Sequence, residues 1–271
     1  MNLNTIVDVK RPSSADQIVD WHDGYAWLAG GTWLFSEPQV STDTLIDLES
    51  LHWPALTATD SGLEIAATCK IGELFRYEAP PEWTAVSVFR DCCNALLASW
   101  KIWNAATVGG NIVMSLPAGA MISLTTALEG VYTILPRDGV PRTVPSLDFV
   151  TGNHENVLES GELLRSIHLP ASALSKRVAF RQQSLVKLGR SAALLVGTVG
   201  QDGQDFRVTV TAATSRPVQF AFDSVPTRDE LRRAISARLS FPDYFHDVNG
   251  SAEYKQHLTF HFAEQIRAEL A

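Results

Sequence analysis

Apolar and polar positions alternate in short runs over parts of this chain and recur at helical spacing over others. Residues 25–29 form an apolar run that stops at Gly30-Gly31, which predicts a strand followed by a tight turn. Residues 44–48 and 63–69 predict two further strands, and a helical pattern opens near Ile71. From 82 to 100, Val86, Phe89, Cys93, Leu96 and Leu97 recur at helical spacing, so one helix is expected there. Ahead of these elements, Ser13 or Ser14 is placed to cap a short helix running to Trp21.

The stretch 104–111, Asn-Ala-Ala-Thr-Val-Gly-Gly-Asn, is too rich in glycine for the interior of a regular helix. A helix over 120–129, a strand over 131–135 and a turn at Arg137-Asp138-Gly139 follow. Residues 163–169 alternate like a strand and end at Pro170, while 192–199 and 206–212 read as strands joined through 200–204. Two helices, 227–239 and 251–270, each open on an N-cap residue. The first third thus reads as α/β and the last as α+β, with a joint expected near 165–175. No internal repeat or low-complexity tract interrupts the 271 residues.

With 45% apolar and 19% charged residues, the composition is that of a globular chain. Lys and Arg number 22 against 30 Asp and Glu, a net charge of −8, which argues against a binder of nucleic-acid backbones. No apolar run approaches the ~20 residues of a membrane span, and the opening MNLNTIVDVKRP lacks a signal-peptide core, so a cytoplasmic protein is expected. Three cysteines, Cys69, Cys92 and Cys93, contain no C-x-x-C. Buried, reduced thiols are expected, and neither a zinc knuckle nor an iron–sulfur cluster can be assembled from them alone.

Two glycine clusters carry the candidate chemistry: Leu28-Ala-Gly-Gly-Thr-Trp-Leu34 and Ala106-Thr-Val-Gly-Gly-Asn111. Glycine pairs beside Thr or Asn suit a loop whose successive backbone N–H groups converge on an anion, because side chains would block the approach. Thr32, Thr107 and Asn111 add short polar groups for phosphate oxygens. Neither cluster fits G-x-G-x-x-G or G-x-x-x-x-G-K-[ST]. Taken singly, each pair reads as a tight turn after a strand. Together in one half of the chain, they tilt the reading toward a phosphate-bearing ligand.

The AGGT ending at Thr32, T-V-G-G-N at 107–111, Leu158-Glu-Ser-Gly-Glu-Leu-Leu-Arg-Ser-Ile-His-Leu-Pro170 and Gly250-Ser-Ala-Glu-Tyr254 occur in one order. In that order and spacing the chain resembles, over nearly its whole length, the FAD-binding (medium) subunit of molybdenum hydroxylases, the xanthine dehydrogenase and carbon monoxide dehydrogenase family. The resemblance implies an α+β protein. A vanillyl-alcohol-oxidase-type (PCMH-type) FAD-binding domain would span 1–168, in two α/β subdomains of about 1–55 and 56–168. A smaller α+β domain would follow over 169–271. It implies that Trp27, Leu28, Ala29, Gly30, Gly31, Thr32, Trp33 and Leu34, with Thr107, Gly109, Gly110 and Asn111, wrap the FAD pyrophosphate. Leu164 would pack near the flavin, and Arg181 would supply a basic group near its ring.

The same resemblance implies a role in electron transfer. FAD would accept electrons from [2Fe–2S] clusters on a small partner subunit and pass them to an external acceptor. Those electrons would originate at a molybdenum cofactor in a large subunit, within a dimer of heterotrimers. The cofactor does the chemistry, and the protein binds, orients and tunes it. Two alternatives stand beside this reading: a scaffold or assembly subunit that has lost FAD, and a stand-alone flavoprotein oxidoreductase.

Four departures bear on these alternatives. Trp33 follows AGGT where relatives carry a small acid or polar residue. Trp103 stands where an Arg is common, Ala120 where an Asp is usual, and Arg181 where some members have Lys. Other candidates carry less. His257 and His261 are four apart on the last helix and read as a surface pair, since two ligands rarely hold a metal. Asp229-Glu230 reads as acids in a first helical turn. Ser184 and Ser191 lack a nucleophile context. Trp100 and Trp103 read as core aromatics.

Overall fold

The computed structural model describes residues 3–14, 17, 21–137 and 140–271. The short helix expected from Ser13 or Ser14 to Trp21 and the turn expected at 137–139 both run through residues outside the described ones. Strands β1 (Asp8–Lys10), β2 (Tyr25–Leu28) and β3 (Thr44–Asp47) form a parallel sheet in the order β1-β3-β2. Its middle strand buries Thr44, Leu45 and Ile46, as a parallel strand covered on both faces does.

Strands β4 (Leu56–Thr59) and β5 (Gly62–Ala66) begin a second, antiparallel sheet. Five helices come next: α1 (Ile71–Phe75), α2 (Ser87–Ala95), α3 (Trp100–Trp103), α4 (Val108–Val113) and α5 (Ala120–Ala127). The chain returns through β6 (Val131–Leu135) and β7 (Arg142–Pro145), then α6 (Ser146–Phe149) and a small hairpin of β8 (Val150–Gly152) and β9 (Glu155–Asn156). Strand β10 (Leu163–Pro170) then enters the centre of the sheet, whose order is β4-β5-β10-β6-β7. Mixed helix and sheet was expected, but parallel pairing is confined to the first sheet.

Two sequence expectations fail in this region. The single helix over 82–100 is broken: α2 ends at Ala95, Leu97 adopts a left-handed φ of 43°, and Ser99 caps the separate turn of α3. The Gly109-Gly110 pair does lie in a helix, in the first turn of α4. That helix runs so close to the end of β5 that a Cβ on Gly109 would sit 2.5 Å from the Ala67 Cβ.

After α7 (Ala171–Leu174), strands β11 (Arg177–Ser184), β12 (Ser191–Val199), β13 (Gln204–Thr211) and β14 (Val218–Ser224) pair antiparallel in sequence order. Helices α8 (Arg228–Arg238) and α9 (Ala252–Leu270) follow, capped by Thr227 and Ser251. Strand β12 is buried along its whole length. Leu194 and Val196 join the main core with the second sheet, α2 and α5, while Ala193, Leu195 and Val199 join the core beneath α8 and α9. This two-sided burial is why its sequence is almost continuously apolar. Helix α9 packs so tightly that a Cβ on Gly197 would lie 2.1 Å from Ile266 Cγ2.

A buried cation ties the third sheet to the rest. Lys176 donates to Glu129, after α5, and to Asp205, at the start of β13, both at 2.5 Å. Among the described residues, no helix is long and apolar enough to cross a membrane.

Candidate functional site

The first glycine cluster is the turn between β2 and β3. Phe35 N–H donates to Gly31 carbonyl at 2.8 Å, and Gly31 takes a left-handed φ of 66°, a conformation open to glycine at no steric cost. The N–H groups of Gly30, Gly31, Thr32, Trp33 and Leu34 have no acceptor among the described residues. All five residues are partly exposed. Unclaimed donors in succession at a turn are suited to receive an anion.

The second cluster lies directly against the first. A Cβ on Gly30 would sit 1.9 Å from the carbonyl oxygen of Ala105, so only glycine permits this contact. Unlike the first loop, the second has its amides taken. Val108 N–H donates to Cys69 carbonyl at 2.8 Å, Gly109 N–H to Ala67 carbonyl at 2.9 Å, and Gly110 N–H to Thr107 Oγ1 at 3.0 Å. The expectation that both loops present converging N–H groups therefore needs correction. The second loop is a clasp that fixes the N-terminus of α4 on the second sheet. Gly110 keeps an open side, since a Cβ there would meet Thr107 Oγ1 at 2.9 Å and nothing else nearby. Asn111 faces inward instead: its Oδ1 accepts the Met121 N–H at 3.0 Å and so fixes the start of α5.

Trp27 is anchored by its indole N–H, which donates to the Glu162 carbonyl at 3.0 Å. Glu162 is itself held by Arg142, whose Nε and Nη2 reach its two carboxylate oxygens at 3.0 and 2.6 Å. Those bonds outweigh burial and hold the Glu162 carboxyl below the usual carboxylate range. The 158–170 motif thus braces the first loop from behind. Ala29 packs with Trp27 and Leu163 in a small cluster, while Leu164 is buried in the main core that also holds Val108 and Ile112 of α4.

Arg181 is not brought to the loops. On β11, Phe180 packs toward the main core, and strand alternation turns Arg181 to the opposite face, toward α9. There its Nε donates to Gln265 at 2.9 Å and its Nη2 to Glu269. The basic side chain that does reach the first loop is Arg190, whose guanidinium carbon lies 5.7 Å from the Trp33 ring centroid. The His154 ring, from the turn between β8 and β9, is 6.1 Å from the same indole. Neither Arg190 nor His154 stands in a motif, and only the folded chain brings them to Trp33.

Among the four departures, Ala120 is fully buried at the start of α5, and Trp103 is buried with its indole N–H lacking an acceptor among the described residues. Trp100, expected in the core, is 55% exposed, with Arg76 over its ring. The three cysteines are free and buried, and burial pushes Cys93 up to about 12 and Cys92 well above its ordinary value, which leaves inert thiols. His257 and His261 stack on the exposed face of α9, and no group of three potential metal ligands occurs among the described residues.

The family model for the FAD binding domain in molybdopterin dehydrogenase matches residues 5–172. The carbon monoxide dehydrogenase medium chain of Hydrogenophaga pseudoflava is 26% identical over 174 residues, covering 59% of this chain and 58% of that one. Xanthine dehydrogenase 2 of Arabidopsis thaliana is 29% identical over 128 residues, 43% of this chain and 9% of that protein. The chain thus spans less than two thirds of these curated relatives. Solved structures share the fold over nearly the full length. Carbon monoxide dehydrogenase from Oligotropha carboxidovorans superposes with a TM-score of 0.82 at 18% identity, covering 99% of both chains. Quinoline 2-oxidoreductase from Pseudomonas putida 86 gives 0.78 at 19% identity, covering 98% of this chain and 96% of that one. By the match over residues 5–172, the chain belongs to the family of FAD binding domains in molybdopterin dehydrogenases.

Proposed function

We propose that this chain is the FAD-binding electron-transfer subunit of a molybdenum hydroxylase complex. Five consecutive backbone N–H groups without acceptors among the described residues, at Gly30–Leu34, carry the reading. A diphosphate needs several unclaimed donors and close backbone approach, and this loop offers five such N–H groups with two glycines at its head. The open side of Gly110 faces no neighbour but Thr107, so the clasp leaves room beside the loop. When bound, FAD supplies the redox chemistry that links [2Fe–2S] clusters on a small partner subunit to an external acceptor. The chain's own residues bind and orient it. The 29–34 loop holds its diphosphate, the Arg142–Glu162 pair fixes Trp27 behind that loop, and the Ala105–Ala106 backbone ahead of α4 meets the loop at Gly30. Substrate hydroxylation belongs to a large molybdenum-cofactor subunit in this reading, and the isolated chain oxidises no substrate.

The domain division expected from the sequence, 1–168 and 169–271, is retained within this proposal, as is assembly with small and large subunits. One observation favours the alternative of a scaffold without FAD. Ala120 offers only a buried methyl group where the family resemblance implies an Asp able to bond the cofactor. Loss of one hydrogen bond costs about 0.5–1.5 kcal/mol, roughly tenfold in affinity, which weakens a site of five amides without abolishing it. The deciding experiment is purification with the companion subunits and a count of FAD per chain. About one supports the proposal, and none favours the scaffold.

A further inference from the structure

The first loop offers neutral donors only, and neither glycine cluster contains a cation. A cation arrives from a distant segment. Arg190 closes the tight connection between β11 and β12 and immediately precedes Ser191, which is 2% exposed on the most buried strand of the molecule. The connection is pinned: Gln182 Nε2 donates to Ser191 Oγ at 3.0 Å, Ser184 Oγ to the Val186 carbonyl at 2.8 Å, and Gly189 N–H to that same carbonyl at 3.0 Å. Arg190 therefore projects from a fixed base, and its guanidinium lies over Trp33, one of the five residues with an unclaimed N–H.

Arg76, Arg90, Arg165 and Arg232 also lie over aromatic rings, so what sets Arg190 apart is its place beside the first loop. Arg142, Arg181, Arg207 and Arg267 are each taken by carboxylates. Arg190 has no carboxylate within ion-pair distance among the described residues, and its contact is the Trp33 ring. An unpaired guanidinium beside unpaired amides, in a chain of net charge −8, favours an electron-rich oxygen ligand at that mouth. Resting on the FAD reading above, we propose that Arg190 is a cofactor-contacting residue that donates, beside Trp33, to oxygen atoms of bound FAD. Two sets of oxygens share this chemistry: those of the diphosphate and the carbonyls of the flavin ring.

The test uses the protein as purified, with any subunits that accompany it, stripped of flavin. FAD and riboflavin are titrated by flavin fluorescence into the wild type, Arg190→Gln, Arg190→Lys and the control Lys187→Gln, which alters a charge on the same connection. Arg190→Gln is expected to weaken FAD about tenfold or more, Arg190→Lys to recover part of that loss, and Lys187→Gln to match the wild type. Thermal midpoints without flavin are expected to coincide, which separates a contact from a structural role. If Arg190→Gln weakens riboflavin equally, the ring carbonyls are the partners; if it weakens only FAD, the diphosphate is. Unchanged FAD affinity in Arg190→Gln, with a wild type that binds, overturns the assignment of Arg190 and leaves the FAD reading standing. A wild type that binds no FAD overturns both.

Discussion

Gly30, Gly109 and Gly110 look alike in the sequence and do three different things. Gly30 lets the two loops touch, Gly109 lets α4 approach the end of β5, and Gly110 leaves a side open. Gly109→Ala forces a methyl group against the Ala67 backbone and is expected to cost about 1–3 kcal/mol of stability whether or not flavin is present, measured by urea unfolding. Gly110→Val is expected to keep most of the fold and lose FAD, measured by equilibrium dialysis. Retention of stoichiometric FAD in that variant would show that the open side of α4 is not part of the site. The residue types of both loops were plain from the sequence. Which amides remain free was not, because that depends on the Cys69 and Ala67 carbonyls meeting Val108 and Gly109 across the fold.

At the scale of elements, α9 shows where sequence patterning succeeds and where it stops. Its cap at Ser251 and its apolar spacing were visible, yet Lys255 on it is fully buried. A lysine on a helix ordinarily reads as solvated, and only the packed structure reveals its partners. Lys255 Nζ donates to the Ala212 carbonyl at 3.1 Å and to Asp247 Oδ1 at 2.8 Å. Burial raises the Asp247 carboxyl, but the bonds from Lys255 and Asn249 outweigh it and hold the group below its usual range. The stabilisation from Asp247 is therefore full above its unfolded value of about 4 and is lost as pH falls through the lower folded value. Lys255→Met is expected to cost about 3–5 kcal/mol at pH 7, because it strands the carboxylate, and the difference from wild type should shrink in acid. Denaturant titrations of both proteins at pH 7 and below the folded value check this, and a pH-independent difference would contradict it. The break between α2 and α3 escaped the sequence for a related reason. The apolar period continues through Leu97 while its backbone turns left-handed.

For the whole molecule, the decisive step is convergence of distant segments. The first loop, the β8–β9 turn and the β11–β12 connection meet at Trp33, although more than 100 residues separate the first from the others. No local pattern announces such a meeting. The expected basic residue, Arg181, faces α9 rather than the first loop, whereas Arg190 at the tip arrives there without any motif. Two-sided burial of β12 holds that tip in place, so the third sheet positions a residue of the site as well as forming a core of its own. That the amides of Gly30–Leu34, acceptor-free among the described residues, hold FAD is the proposal on which the other roles depend. Its most direct test is the visible spectrum of the protein purified with its companion subunits, recorded before and after heat release of non-covalent cofactor. A flavin band and about one FAD per chain is the predicted result. Full occupancy by the other cofactors of the complex with no flavin would contradict the claim.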